Sequence, residues 1–357
     1  MHAHLSLHRL TAGHPGLAQK LVHFYGNAEL VLSEFDARLT PARPAIVRSL
    51  TQTRNTAEHH RALDADLGWA QESSRQVLSV DDAAYPTLLK TLSDPPFLLF
   101  VWGDARYLNQ EQIAIVGSRK PTSTGLSVAS QMSSQLAELG FTITSGLAYG
   151  VDATAHRGAL DTGGVTIAVQ GCGADLIYPR SHERLALRIL RQGCLVTEYP
   201  TGFPAHARHF PQRNRIVTGL CRGTLVIEAA AKSGSLISAR LAMEQGREVF
   251  AVPGSIHSRQ SEGCHQLIRQ GATLVTSVAD LVEEFHDFNV DRHKRQVSFS
   301  VTEKLILAAL DDGPRHADRI HEVTAVAVPE LMAVLMGLEI KGEITSGPEG
   351  YLKCRLS

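Results

Sequence analysis

The sequence predicts an α/β protein whose core is a doubly wound parallel sheet. Short apolar runs rich in β-branched residues recur between residues 76 and 288, and segments with the apolar spacing of helices separate them. Most of these runs are continuously apolar rather than alternating, as expected of strands that are buried on both faces. Repeated strand–helix–strand units of this kind form parallel sheets. The predicted strands span residues 112–116, 141–144, 165–169, 194–197, 224–227, 248–252 and 272–275.

Residues 1–75 are predicted to form a small helical domain. Leu17, Leu21 and Phe24 follow a helical period, and this helix should end near Gly26, where a second apolar helix begins. This order is similar to a SAM or helix-hairpin-helix domain, whose hairpin can present backbone N–H groups to a phosphate. An ordinary helical pair that packs and binds nothing explains the same pattern.

The C-terminal part is predicted to be a winged-helix domain spanning residues 301–357. Residues 289–300 are polar and lack apolar periodicity, which is typical of a linker. Beyond them, three short helices are expected at residues 302–310, 317–323 and 329–340. A hairpin follows, with strands at residues 343–345 and 351–353 around a Ser-Gly-Pro-Glu-Gly turn.

Three glycine-containing turns follow predicted strands and lead into predicted helices. Because the carboxyl ends of parallel strands share one edge of a sheet, such turns can form a cradle for phosphates from helix N-termini and close backbone approach. None of the three matches a P-loop, and no full G-x-G-x-x-G dinucleotide motif is present. Each turn alone could also be loop geometry without a ligand. The turns are Gly117-Ser118-Arg119, Ser145-Gly146 and Ser233-Gly234-Ser235.

The charge is balanced overall and uneven along the chain. The 357 residues carry 35 Lys plus Arg and 36 Asp plus Glu, a net charge of -1, which by itself argues against a nucleic-acid partner. Between Glu198 and Glu228, however, no acidic residue occurs. That interval holds Arg208, Phe210, Arg213, Arg215 and Arg222.

The segment from residue 208 to 215 is expected to be an exposed loop, because it contains proline within a stretch of basic and polar residues. Cations beside an aromatic ring are what a single-stranded nucleic acid requires, with phosphates on the arginines and a base on Phe210. The alternative is that Phe210 belongs to the core and the arginines form a solvated face.

Catalysis has weaker support. Asp152 and His156 are four residues apart on a predicted helix, as an acid–base pair would be, but a structural contact that holds the loop is the favoured explanation. The histidines and cysteines lack metal-ligand spacing, so we expect no metal, no cofactor and no catalytic residue. Glu228 near the glycine-rich turn at 233–235 leaves open a nucleotide-binding or nucleotide-cleaving Rossmann enzyme of the lysine-decarboxylase-like group.

Localisation is predicted from what the sequence does not contain. No apolar run approaches the 18 residues of a membrane span, and the longest obvious one covers residues 97–102. The N-terminus, interrupted by His2, His4 and His8, does not match a secretory signal. We therefore expect a cytoplasmic protein with no membrane partner.

Ordered motifs across residues 80–285 closely resemble those of the DNA-processing protein A (DprA/Smf) family. They are Tyr85-Pro86, Asp94-Pro95-Pro96, Gly117-Ser118-Arg119, Ser145-Gly146-Leu147-Ala148-Tyr149-Gly150-Val151-Asp152, Tyr178-Pro179, Phe210-Pro211-Gln212-Arg213-Asn214-Arg215, Ser233-Gly234-Ser235-Leu236, Val252-Pro253-Gly254 and Gly263-Cys264.

The resemblance implies a function and a set of site residues. Members of that family have an extended Rossmann-like core, form homodimers, and bind single-stranded DNA without enzymatic activity. They protect incoming DNA in natural transformation and load a RecA-type recombinase, displacing single-strand-binding protein. By the same resemblance, Arg119 and the turns at 145–146 and 233–235 should hold phosphates. Phe210 should stack a base, and Arg213 and Arg215 should line or brace the groove.

The chain departs from the family pattern at two places. His265 follows Gly-Cys where the family usually has asparagine, and the lysine common before the aromatic residue appears only as Arg208 or His206. Both changes put the phosphate contacts near them in doubt. In addition, the third helix of the predicted winged domain has few basic residues, which makes it a poor reader of the major groove.

Overall fold

A computed structural model describes residues 1–12, 14, 16–35, 50–285, 301–310, 313–340, 344–347 and 350–353. The chain divides into two compact units, residues 1–294 and 295–357. The predicted linker at 289–300 lies outside the described residues. The domain boundary predicted at residue 75 stays a prediction, since residues on both of its sides belong to the first unit.

The first unit contains a nine-stranded sheet in the order β1-β2-β6-β5-β4-β3-β7-β8-β9. Strands β3 to β9 are the seven predicted ones, each within two residues of the predicted ends, and neighbours among them pair in parallel. The prediction of a doubly wound parallel α/β core is thereby confirmed. The strands are β1 (Arg75–Ser79), β2 (Leu98–Gly103), β3 (Gln112–Gly117), β4 (Thr142–Ser145), β5 (Thr166–Val169), β6 (Gly193–Thr197), β7 (Gly223–Ile227), β8 (Glu248–Ala251) and β9 (Thr273–Leu274).

Two strands were not expected from the sequence. Strand β2 takes up the apolar run at 97–102 and lies antiparallel to both of its neighbours, with Phe100 opposite Thr197 of β6. Strand β1 then pairs with β2 at the edge of the sheet. The composition of a buried strand does not reveal its direction, which is why periodicity alone missed this antiparallel addition.

Helices cover both faces of the sheet. Along β3, Ile113 and Ile115 belong to one hydrophobic core, whereas Ala114 and Val116 belong to the other, which explains why the strand is apolar throughout. The α-helices of the first unit are α1 (His2–Thr11), α2 (Leu17–Tyr25), α3 (Ala28–Glu34), α4 (Ala57–Gln71), α5 (Thr87–Lys90), α6 (Ser123–Glu138), α7 (Val151–Asp161), α8 (Glu183–Gln192), α9 (His209–Gly219), α10 (Gly234–Glu244), α11 (Glu262–Arg269) and α12 (Val278–Glu283).

The N-terminal helices pack directly on the sheet through a shared core. Their starts follow capping rules: the Asn27 side chain accepts from the Leu30 N–H at 2.8 Å, and Thr56 Oγ1 accepts from the His59 N–H at 3.1 Å. His8 of α1 donates through Nε2 to the carbonyl oxygen of Glu198 at 2.6 Å. This buried bond fixes α1 to the segment that follows β6.

The second unit has the winged-helix architecture predicted for it. Three helices, α13 (Val301–Ala309), α14 (Ala317–Thr324) and α15 (Val328–Ile340), precede the antiparallel pair β10 (Ile344–Gly347) and β11 (Gly350–Lys353). They enclose a core of their own that includes Ile320, Leu335 and Ile344. Among the described helices, none alone has the length and apolar character of a membrane span. One pair has both only when its two helices are taken together, and they meet at a bend of 114°: Ala317–Thr324 and Val328–Glu339.

Candidate functional site

The turn after β3 is held in place by a carboxylate from the neighbouring strand. Parallel pairing sets Gly117 beside Ile227, so Glu228 follows directly at the same edge of the sheet. Glu228 Oε2 accepts from the Thr122 N–H at 2.8 Å, and its other oxygen accepts from the Thr122 hydroxyl. Thr122 in turn caps α6 by accepting from the Gly125 N–H at 3.0 Å. The carboxylate considered for catalysis therefore positions a turn.

The turn after β4 is tightly packed. Ser145 is fully buried, and its hydroxyl donates to the Ile115 carbonyl at 2.6 Å. The Gly146 N–H donates to Asp152 Oδ2 at 3.1 Å, while its carbonyl accepts from Arg213 Nη2 at 2.9 Å. A Cβ at position 146 would collide with the Arg213 guanidinium, so the turn requires glycine. The sequence predicted this glycine as part of a phosphate-holding turn, whereas in the structure it makes room for Arg213. The sequence did not show that the adjacent serine points inward.

Asp152 and His156 do not form the pair that was considered. Asp152 accepts from the backbone N–H groups of Gly146 and Ala148, at 3.1 and 3.4 Å. His156 donates through Nδ1 to Thr166 Oγ1 at 2.7 Å. Burial raises the pKa of Asp152, with Arg213 opposing, and burial lowers the pKa of His156 to about 3. Both side chains hold the turn and helix α7 in place.

The basic segment is helical, so the expectation of an exposed loop was wrong. Helix α9 begins at His209, directly after Arg208. Pro211 falls in its first turn, where an amide N–H has no partner within the helix, and proline is tolerated there. The proline that suggested a loop therefore marks a helix start.

Two arginines of α9 turn inward. Arg213 is 4% exposed and Arg215 is 5% exposed, so neither offers its guanidinium to a ligand at the surface. Arg215 forms an ion pair with Glu198, and its Nε atom lies 3.4 Å from Asp94 Oδ2. This burial does not fit arginines that line a groove, so of the two roles considered the bracing role is the one that stays a prediction.

Phe210 is half-buried in an aromatic and cationic cluster. Its ring centre lies 5.8 Å from Arg119 Cζ and 5.4 Å from the ring centre of Tyr178. Gly171 permits this arrangement, because a Cβ there would approach Phe210 Cδ1 to 3.1 Å. Arg119, Lys120 and Arg208 are exposed, and Tyr178 is 47% exposed. The structure thus brings together two predicted residues, Arg119 and Phe210, that are far apart in sequence.

Tyr178 was not among the predicted contacts. It appeared only within the Tyr-Pro motif after β5, and its partial exposure beside Phe210 is what makes it a candidate. A signal did exist, since Tyr178 lies in the loop that follows β5, and loops at the carboxyl ends of parallel strands commonly carry binding residues. The sequence did not show that this loop faces α9.

The third turn leads into α10. Ser233 Oγ accepts from the Ser235 N–H at 3.3 Å and lies 2.7 Å from Ser235 Oγ. Gly234 is exposed, and a Cβ added there would meet no atom within 4 Å, whereas Ser235 is 6% exposed. Ser118 of the first turn is also buried, with its hydroxyl accepting from the Lys120 N–H at 3.1 Å. The exposed residues of these three turns are therefore Arg119 and Gly234, whereas both residues of the turn at 145–146, predicted to hold a phosphate, are buried.

Comparison with known proteins gives the family. The family model described as DNA recombination-mediator protein A matches residues 76–286, and that of the DprA winged helix domain matches residues 299–350. Protein Smf of Escherichia coli is 40% identical over 309 residues, which cover 83% of this chain and 82% of that protein.

Two solved structures are similar to the chain. The X-ray structure of DNA processing protein A from Streptococcus pneumoniae has a TM-score of 0.67 and 36% identity, covering 80% of this chain and 97% of that one. The second is the structure of DNA processing protein A from Helicobacter pylori, which reports a single-stranded DNA binding mode of that protein. It has a TM-score of 0.55 and 30% identity, and the match covers 60% of this chain and 98% of that one. On these matches, this chain belongs to the DNA recombination-mediator protein A (DprA/Smf) family.

Proposed function

We propose that the chain binds single-stranded DNA at the surface formed by Arg119, Phe210 and Tyr178. The observation that carries the proposal is the partly exposed Phe210 ring, with a guanidinium on one side and a second aromatic ring beside it. Aromatic rings stack unpaired bases of any sequence, and arginine contacts the phosphates between them. The similarity to a single-stranded-DNA-binding relative at 30% identity supports the same partner.

In this proposal the buried arginines act as positioning residues. Arg213 ties the turn at Gly146 to helix α9, and Arg215 ties α9 to Glu198. Both hold Phe210 at a fixed place on the first turn of that helix. Phosphates would then contact Arg119, Arg208 and the backbone at Gly117 and Gly234. The buried Gly146 and the serines at 118, 145, 233 and 235 would shape those turns.

Replacing Phe210 by alanine is expected to weaken binding to oligothymidine by about 1–3 kcal/mol, the usual contribution of one base stack. The measurement is fluorescence anisotropy at fixed salt, because affinities compared at different salt concentrations mix two effects. Arg106→Ala is a suitable control, since Arg106 is an exposed arginine that pairs with Asp104 before β3, near the amino ends of the parallel strands. Equal affinity of F210A and R106A would refute the stacking role.

Replacing Arg119 by alanine is expected to flatten the salt dependence of binding. For single strands the slope of log K against log salt is about -0.7 per neutralised phosphate, so losing one contact should change it by about 0.7. The loss should also be similar for different sequences, since phosphate contacts carry no sequence information. An unchanged slope with reduced affinity would remove Arg119 from the phosphate contacts.

The biological role follows from the family and belongs to the same proposal. We infer that the bound strand is handed to a RecA-type recombinase during natural transformation and recombination, with single-strand-binding protein as a further partner. A homodimer acting in the cytoplasm without catalysis fits that role. Loading of the recombinase onto DNA coated with single-strand-binding protein tests it directly.

The enzymatic alternative remains distinguishable. A nucleotide-cleaving enzyme would release free base from a nucleoside monophosphate and lose that activity on Glu228→Ala. The contacts of Glu228 with Thr122 favour a positioning role instead. Release of free base that depends on Glu228 would overturn the non-enzymatic proposal.

A further inference from the structure

A cavity of about 700 Å³ lies between the N-terminal helices and the loops that follow β5 and β6. Helix α1 contributes Arg9, and helix α4 contributes Ala65 and Trp69. The two loops contribute Asp175 and Phe203. This volume falls within the range of small-ligand sites in proteins, about 300–1,000 Å³.

The walls of this cavity include two aromatic rings and two guanidinium groups. Arg9 Cζ lies 5.7 Å from the ring centre of Phe203. Arg75 also lines the cavity. Its Cζ lies 5.4 Å from the ring centre of Trp69 and 4.4 Å from that of Trp102. Planar groups of this kind stack favourably against another planar ring.

The charges of the cavity argue against a phosphate. Arg9 donates to both carboxylate oxygens of the buried Asp66, at 2.7 and 2.8 Å, and Arg75 lies 2.8 Å from Glu72. Both cations are therefore compensated locally, and Asp175 adds a further carboxylate to the lining. A neutral planar ring with an N–H group suits this chemistry, because it can stack on the walls and donate to a carboxylate. A nucleobase is such a ring.

The cavity shares its two loops with the surface around Phe210. Asp175 is three residues before Tyr178, so their Cα atoms are at most about 11 Å apart. Tyr199 lies between the two places, stacking on Phe203 at 6.3 Å and on His209 at 4.3 Å between ring centres. His209 precedes Phe210 in the first turn of α9. The cavity and the surface around Phe210 are therefore neighbours, joined by these two loops and the Tyr199 ring.

We propose that this cavity is a nucleobase-binding site that takes a base of the strand bound at Phe210. It rests on the proposed function, and it gives the N-terminal helices a direct part in DNA binding. The strand would place phosphates on the accessible cations around Arg119 and one base in the neutral cavity beneath α4.

Filling the cavity tests the proposal. Ala65 is exposed on α4 and lines the cavity, so Ala65→Trp adds a ring without removing a buried contact. The matched control is His60→Trp, at an exposed position of the same helix outside the lining. We expect A65W to bind oligothymidine about 5- to 150-fold more weakly than H60W, the loss of one stacked base. Equal affinities would contradict the proposal.

Intrinsic fluorescence gives a readout that does not depend on filling the cavity. The chain has two tryptophans, so Trp102→Phe leaves Trp69 as the single reporter on the cavity wall. Oligothymidine should quench Trp69 in W102F, and F210A should reduce that quenching in parallel with affinity. If W102F binds oligothymidine as the wild-type chain does but its Trp69 emission is unchanged, the cavity proposal fails alone. If the chain does not bind oligothymidine, the proposed function itself fails.

Discussion

Replacing Arg215 by alanine is expected to lower the free energy of unfolding by about 3–5 kcal/mol, the cost of leaving a buried charge without its partner. The Arg215 side chain is 6% exposed and that of Glu198 is 10% exposed. Burial raises the pKa of Glu198, and Arg215 opposes that rise. Without the guanidinium, Glu198 must either stay charged in a poorly solvated place or take up a proton.

Urea unfolding at pH 7 measures this effect, with Arg208→Ala as its control. Arg208 is exposed at the start of the same helix, and a surface substitution of that kind usually changes stability by less than about 0.5 kcal/mol. A second variant separates charge from packing: Arg215→Met combined with Glu198→Leu should recover much of the loss, because apolar replacements of a buried pair are often neutral.

The same pair of arginine variants decides between two interpretations of the basic segment. If Arg215 faced the DNA, R215A would keep wild-type stability and lose affinity. If it braces helix α9, R215A loses stability, and any loss of affinity follows from displacement of Phe210. R208A should show the reverse pattern, with unchanged stability and weaker binding. An R215A protein as stable as wild type would contradict the bracing role.

The strands could be predicted from the sequence, whereas the direction of the charged side chains could not. Continuous apolar runs predicted strands β3 to β9, because burial on both faces leaves a pattern that any reader of the sequence can see. The turn glycines were also visible in the sequence, but the reason for Gly146 was not, because the space it leaves is taken by Arg213. Which way a charged side chain points is set by tertiary packing, so the four arginines between Glu198 and Glu228 looked alike.

The neighbours of Phe210 in the aromatic and cationic cluster could not be predicted from the sequence either. Phe210 was predicted as a stacking residue, and the structure leaves its ring half-buried. Its neighbours Arg119 and Tyr178 come from loops after two other strands, β3 and β5, and only the strand order brings them together. Contacts of that kind depend on topology, which local sequence patterns do not encode.

Lowering the pH from 7 to 5 is expected to destabilise the chain through two buried histidines. His156 donates through Nδ1 to Thr166 Oγ1, whose own proton goes to the Ile143 carbonyl, and its Nε2 is buried with no partner among the described residues. A second proton on this ring would have no acceptor, and burial lowers the pKa to about 3. Burial likewise lowers the pKa of His8 to about 4.

The sign and size of the effect follow from linkage. The unfolded chain takes up these protons near pH 6.5, whereas the folded chain does so only near pH 3 to 4. Stability is therefore full above about pH 6.5 and falls as the pH drops, because the unfolded state binds more protons. Between pH 7 and pH 5 each histidine contributes a loss of about 2 kcal/mol.

Variants isolate the contribution of the histidines to the pH dependence of stability. The carboxyl groups of Asp152 and Glu198 act in the opposite direction, because burial raises their pKa values. His8→Gln keeps a donor for the Glu198 carbonyl and removes the titrating ring, so the difference in unfolding free energy between pH 7 and pH 5 should shrink by about 2 kcal/mol. His257→Gln, at an exposed position, should leave that difference unchanged. If H8Q and H257Q showed the same pH dependence as wild type, His8 would titrate alike in both states, and its bond to Glu198 would not require the neutral ring.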